Sequence, residues 1–237
     1  MTTSSTKHAN LIMMSRQFAI EKEIEYLSES ISKKDVSGFQ STAPRFEEHV
    51  QGGVSYMKFT GVVRDLNHGP LTHTGQKLDV ATTVGYFAVM TPQGVRYTRS
   101  GHFHLSTTGE VINTDGYPLL NEGGAPIVLE DAGSVVISPN GTVSTPSGIV
   151  GRIKVVEFAN EQQMNDDDLK GYYSSTDPES IPPQYQVYQG SLEGSNVDTV
   201  KSLVRFSILS HRWQDSHHVQ KKQDELELEA PSKLAPA

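Results

Sequence analysis

The sequence predicts an α+β protein that is mainly β: a central antiparallel β domain with N- and C-terminal amphipathic helices that pair in a helical bundle. Three observations lead there. Apolar residues recur at helical spacing in two segments at opposite ends of the chain. The sequence between them consists of short runs of β-branched and aromatic residues. Those runs are separated by glycine turns at roughly 8–12-residue intervals, the rhythm of an antiparallel sheet or barrel. The organisation expected is a disordered start, N-terminal helix and linker at 1–53, an extended connector and β-rich outer domain at 54–190, and a C-terminal helix and tail at 191–237.

Residues 1–10 are rich in Ser and Thr and are expected to be disordered. The first helix is expected at 11–34, with Met13, Ile20, Ile24, Leu27 and Ile31 on one face and Gln17 interrupting the stripe. Lys33 and Lys34 suit its C-terminal dipole, and Gly38 offers a stop. Residues 39–78 read as a long connector with short extended pieces at Val54, Tyr56, Phe59, Val62 and Val63. Strands at 86–90 and 95–98 flank the turn Pro92-Gln93-Gly94, a hairpin signal. Phe103 and Leu105 alternate with His102 and His104, and strands follow at 111–112, 117–120, 127–129, 135–137, 142–144 and 149–158. Asp166-Asp167-Asp168 and residues 178–183 mark a loop. The last helix, 197–218, carries Val197, Val200, Val204 and Ile208, with Leu203, Phe206, Leu209 and Trp213 widening the face. Ser195 or Asn196 is the expected cap, with Asp198 three residues after Ser195, and Pro231 is expected to end any helix and begin a loose tail.

Composition excludes several functions. Lys and Arg number 20 against 28 Asp and Glu, a formal charge of −8 with no basic face, so no nucleic-acid partner is expected. No apolar run has spanning length, so no membrane insertion is expected, and the apolar cluster at 11–14 is too short for the core of a cleaved leader. Without cysteine there is neither disulfide nor thiol chemistry. No nucleophile elbow and no phosphate-cradling glycine loop with its Lys occurs; Gly85, Gly94, Gly101, Gly109 and Gly116 read as turn residues. His102 and His104 share a strand face that could hold a metal, but with no third ligand evident they read as surface histidines, and no metal or cofactor is expected. His217 and His218 point apart on a helix, and the three aspartates lack the rest of a calcium loop.

Four runs then stand in order: GPLTHTGQKLDVA at 69–81, GYFAVMTPQGVRYTRSGHF at 85–103, TGEVINTDGYPL at 108–119 and QGSLEGSNV at 189–197. Together they resemble the bacterial flagellar basal-body rod proteins, over roughly 54–219. The stretch at 28–39 keeps Ile31, Gly38 and Phe39 but lacks the asparagine-rich run usual before this point in that family. The resemblance implies a structural subunit of the proximal rod, exported without a cleaved signal peptide by the flagellar export apparatus and polymerising with itself and other rod subunits. It implies a drive shaft that transmits torque and encloses the export channel in the basal body, with no catalysis. It places the assembly interface at Ile20, Ile24, Leu27, Ile31, Gly38, Phe39, Leu192, Glu193, Ser195, Asn196, Val197, Val200, Leu203, Val204 and Ile208. The alternatives are a distal-rod or hook-type axial subunit, or a secreted β-rich glycan-binding module using a face around Tyr97, Arg99 and Tyr117.

Overall fold

Helix α1 spans Thr2–Ser32 and helix α2 spans Thr199–Lys233, so both ends of the chain are helical. The structure, a computed structural model, describes residues 2–51, 53–166 and 171–233. Asp167 and Asp168 of the expected loop, and residues 234–237 of the expected tail, lie outside the described residues. The chain divides into two units: one of Met1–Ser32, Thr42–Val63 and Asp198–Ala237, the other of Lys33–Ser41 and Arg64–Val197.

In the first unit α1 packs on α2 and on the strand that follows it. Glu23 pairs with Arg205, whose Nε donates at 2.8 Å, and the Gln17 amide meets the His217 ring at 2.8 Å, so the helices run antiparallel. Helix α1 begins nine residues earlier than expected. Once a helix is nucleated by packing, each added Ser or Thr costs only tenths of a kcal/mol (~0.5), so the polar start propagates rather than frays. At the other end α2 continues past Pro231. Lys, Gln, Glu, Leu and Ala make up nine of the ten residues at 221–230, and a proline so near a terminus forfeits one hydrogen bond that the strong helix formers before it outweigh.

Residues 39–78, expected as a connector of short pieces, hold instead a long two-stranded ribbon, β1 (Thr42–Gln51) and β2 (Val54–Arg64). Phe46 meets Phe59 edge-on at 5.8 Å and His49 meets Tyr56 at 5.2 Å, cross-strand pairs that hold the register. Its signal in sequence was diluted by Gly61 and by the polar residues that fill its exposed faces.

The second unit is built from antiparallel pairs in several small sheets. At its centre runs the strand Tyr86–Thr91, paired with Gly94–Thr98 and with Val155–Val156. Phe87 and Val89 enter one cluster with Phe103, Val111, Leu119, Ile127 and Ile153. Tyr86 and Ala88 enter a second cluster with Tyr97, Leu120, Phe158 and Tyr173. A strand covered on both faces reads as a continuous apolar run, as GYFAVM does. The expected strand at 149–158 is broken into Gly148–Arg152 and Val155–Val156, since the first half pairs with Thr142–Thr145 and the second with the central strand. The runs at 117–120 and 127–129 make single bridges rather than ladders.

The helix pair holds a surprise in its packing. The α2 residues turned inward include Ser202, Phe206, Leu209, Trp213, Ser216 and Gln220, spaced four and three in heptad fashion, with Ser210 half-buried beside them, and Leu209 is only 2 % exposed. Replacing Leu209 by Ala should lower helix-pair stability by about 2–4 kcal/mol, whereas Val204→Ala should cost about 0–0.5 kcal/mol, read by urea titration of helical circular dichroism.

Candidate assembly site

The expected stripe on α2 is not the buried one. Val200, Leu203, Val204 and Ile208 are exposed by 73, 50, 55 and 46 %. Thus α2 carries two apolar seams, and only the one through Phe206 and Leu209 meets a partner within this unit. Phe206, Leu209 and Trp213 belong to a separate face from Val204 and Ile208 rather than widening it. On α1 the expected residues Ile20, Ile24, Leu27 and Ile31 are half-buried, while Leu11, Met14 and Phe18 form a second exposed stripe that the reading from Met13 overlooked. Leu27 also lines a cavity of about 290 Å³ with Glu23, Tyr26, Thr42, Ala43, Pro44, Lys201, Ser202 and Arg205. Contiguous exposed apolar faces are where proteins meet partners, membranes or ligands.

The second unit contains the roots of both terminal segments, and it binds them side by side. The Gly38 amide donates to the Glu193 carbonyl at 2.8 Å, and the Asn196 amide donates to the Phe39 carbonyl at 3.2 Å. The Asn196 side chain completes the seam. Its Oδ1 accepts from the Ser41 amide at 2.7 Å, and its Nδ2 donates to the Asp65 and Asn67 carbonyls at 2.8 and 2.9 Å. One amide thereby joins three passages of chain. Beneath it, the Glu193 carboxylate is buried and its Oε1 takes the Gly69 amide and the His68 ring, each at 3.2 Å, with Arg99 Nη1 at 3.6 Å. Arg99 is itself buried over the Tyr86 ring, 4.9 Å from its centroid. Burial pushes the Tyr86 hydroxyl well above the usual tyrosine range, so it stays protonated and donates to Glu161 Oε2 at 2.9 Å. Gly38 is not the helix stop, because α1 ends at Ser32. Its φ is +67°, and a Cβ there would stand 2.3 Å from the Arg99 carbonyl carbon, so only glycine lets the two backbones approach.

Four of the expected interface residues, Gly38, Phe39, Glu193 and Asn196, thus gather in one seam. Leu192 lies in the short pairing of Ser191–Glu193 with Leu71–His73, and Val197 follows the seam, half-buried. Ser195 Oγ accepts from the Val197 amide at 3.2 Å, and Asn196 is occupied as described, so neither caps α2. Asp198 does, its Oδ1 accepting from the Lys201 amide at 3.0 Å. That bond, with the Lys201 ammonium nearby, holds the Asp198 carboxyl below the ordinary carboxylate range. The glycan-binding alternative loses its surface here. Tyr97 is buried in the second cluster and Arg99 over the Tyr86 ring, and only Tyr117 of the three is half-exposed. Sequence reasoning missed the Arg99–Glu193 pair. Its signal was two charged residues inside otherwise apolar or glycine-rich runs.

The chain ends leave the β unit through one hydrogen-bonded seam, and the helix pair keeps an uncovered apolar face. Comparison with known proteins supplies the family. The pattern of the flagellar hook protein FlgE/F/G D1 domain matches residues 82–145. The flagellar basal-body rod protein FlgF of Caulobacter vibrioides is 30 % identical over 211 residues, covering 84 % of this chain and 86 % of the relative. FlgF of Mesorhizobium japonicum is 27 % identical over 86 % of this chain and 88 % of its own length, and the rod protein FlgG of Bacillus subtilis is 31 % identical over 65 and 64 %. The chain belongs to the flagellar basal-body rod protein family, and it aligns with these FlgF relatives along more of its length than with this FlgG.

Two outcomes follow from the seam and the cap. Asn196→Ala leaves the Ser41 amide without its acceptor and should cost about 1–3 kcal/mol in a denaturant titration that follows the β unit. A carboxyl whose pKa is lowered on folding stabilises above its unfolded value, near pH 4, and that support fades as pH falls through the folded value. Helical dichroism of the wild type should therefore show an acid loss that Asp198→Asn, which caps without titrating, lacks at this position.

Proposed function

We propose that this chain is a structural subunit of the proximal flagellar rod, and that its outward α2 seam is the surface on which neighbouring axial subunits pack. The single observation that supports this most is the exposure of Val200, Leu203, Val204 and Ile208 on a helix whose other seam is already closed. A face of one molecule that meets a different face of the next gives a heterologous contact, and such contacts build an open helical filament when the rotation does not close. The expected interface on the N-terminal side, Ile20, Ile24, Leu27 and Ile31, acts in this reading by fixing α1 against α2 so that the free faces hold a defined geometry.

The role is mechanical. The assembled rod transmits torque and surrounds the channel through which later subunits pass, with no reaction catalysed and no cofactor held. A helix pair with little buried area is marginal until a lattice covers it, so the terminal segments gain most of their stability on incorporation. That property suits a chain delivered through the flagellar export apparatus, and it restrains premature assembly in the cytoplasm. Val204→Asp puts a charge on the free seam without touching the Leu209 seam. The variant should keep the wild-type dichroism and thermal transition yet be missing from purified basal bodies, with loss of swimming. Normal incorporation with normal motility would refute the assignment of this face.

A further inference from the structure

The β unit carries a pair of histidines whose surroundings were invisible in the sequence. His102 and His104 flank Phe103, which is buried, so both rings stand on the outer face of the strand Phe103–Leu105. Asp79 is the cross-strand neighbour of His102. Its carboxylate is buried, 3 % exposed, and its Oδ1 lies 2.7 Å from His102 Nδ1. Its other oxygen accepts the Thr74 hydroxyl at 2.6 Å. With both oxygens accepting, Asp79 takes a proton on the Nδ1 side of His102, so the neutral ring would carry its lone pair on Nε2, on a side chain that is 47 % exposed. His104 is exposed, and no hydrogen bond or ion pair engages its ring. Both histidines line one open cleft of about 490 Å³, together with Gln76, Lys77 and Gly133.

We propose that His102 and His104 form a binding site for a divalent transition-metal ion of the Zn²⁺ type, with Asp79 as the carboxylate that orients His102. An imidazole that donates one N–H to a carboxylate and offers the other nitrogen outward is the arrangement that metal-binding histidines adopt, since the carboxylate sets the tautomer and raises the basicity of the ligand nitrogen. Two imidazoles two residues apart on an extended strand lie on one side of it, and the unrestrained His104 ring is free to turn toward the ion. Among the described residues no three His, Asp or Glu side chains converge as ligands. The site therefore supplies two protein ligands and water completes the shell, which places it among open, reversible sites rather than closed structural ones. The Lys77 ammonium in the same cleft donates to the Gly133 carbonyl. Bound here, an ion would sit over the junction of the 74–79 loop with the strand at 103–105 and tie the two together.

Isothermal titration of the full chain with ZnCl₂ at pH 7.5 tests this, with thermal melts confirming that each variant is folded. The expected result is a single saturable Zn²⁺ per chain. His102→Gln or His104→Gln should weaken it by tenfold or more, and Asp79→Asn, which keeps the shape but loses the charge, by roughly 10–100-fold. The double variant His217→Gln, His218→Gln, on the helix, should bind as the wild type does. Because Asp79 is buried and its variant risks misfolding, the exposed His104→Gln is the deciding one. Equal Zn²⁺ binding by wild type and His104→Gln, or no saturable binding by the wild type, overturns the proposal.

Discussion

Helix α2 presents two apolar seams, and the fold supplies a partner for one. Burying apolar surface is the largest favourable term available to a chain, and exposing it is the corresponding cost. In the first unit that term is spent on Phe206, Leu209 and Trp213 against α1, while Val200, Leu203, Val204 and Ile208 stay in solvent. No rearrangement within a two-helix pair buries both, because the seams lie on different sides of the same cylinder. The uncovered side is apolar surface left in solvent, on a chain that belongs to the rod protein family.

The second unit holds side by side the two segments that run to the helices. Gly38, Phe39 and Ser41 on one side and Glu193 and Asn196 on the other are joined through backbone bonds and one side-chain amide. The buried Arg99–Glu193 pair stands under them. Such a pair adds little net stability compared with an apolar filling, but it tolerates few alternative arrangements, since misplacing either partner strands a buried charge. Specificity of geometry, rather than strength, is what it contributes here.

Much of this could be read from the sequence, and the failures have physical causes. The strands at 86–91 and 94–98 were legible because β-formers flank a turn, and the four family runs stood in order. The helix pair was legible in kind, but the choice of seam was not. Periodicity reports that Val200, Val204 and Ile208 share a side; it says nothing about which of two apolar sides the chain itself will cover. The ribbon of β1 and β2 was missed because a ribbon exposed on both faces lacks the alternation that marks a half-buried strand. The capping error arose from competition: Asn196 is an excellent cap by type, but three backbone groups claim its amide first, and the role falls to Asp198. The same blindness to tertiary partners hid Asp79 behind His102.

The proposed assembly face should change its environment when the subunit joins the rod. Because the chain has no cysteine, a single thiol can be placed at will and its reaction with a water-soluble maleimide timed. Placed at Ile208, it should react rapidly in the free subunit and become strongly protected in purified basal bodies, while one at Leu209 should be slow in both. Equal, rapid labelling at 208 before and after assembly would contradict the claim that this seam is the one the rod covers.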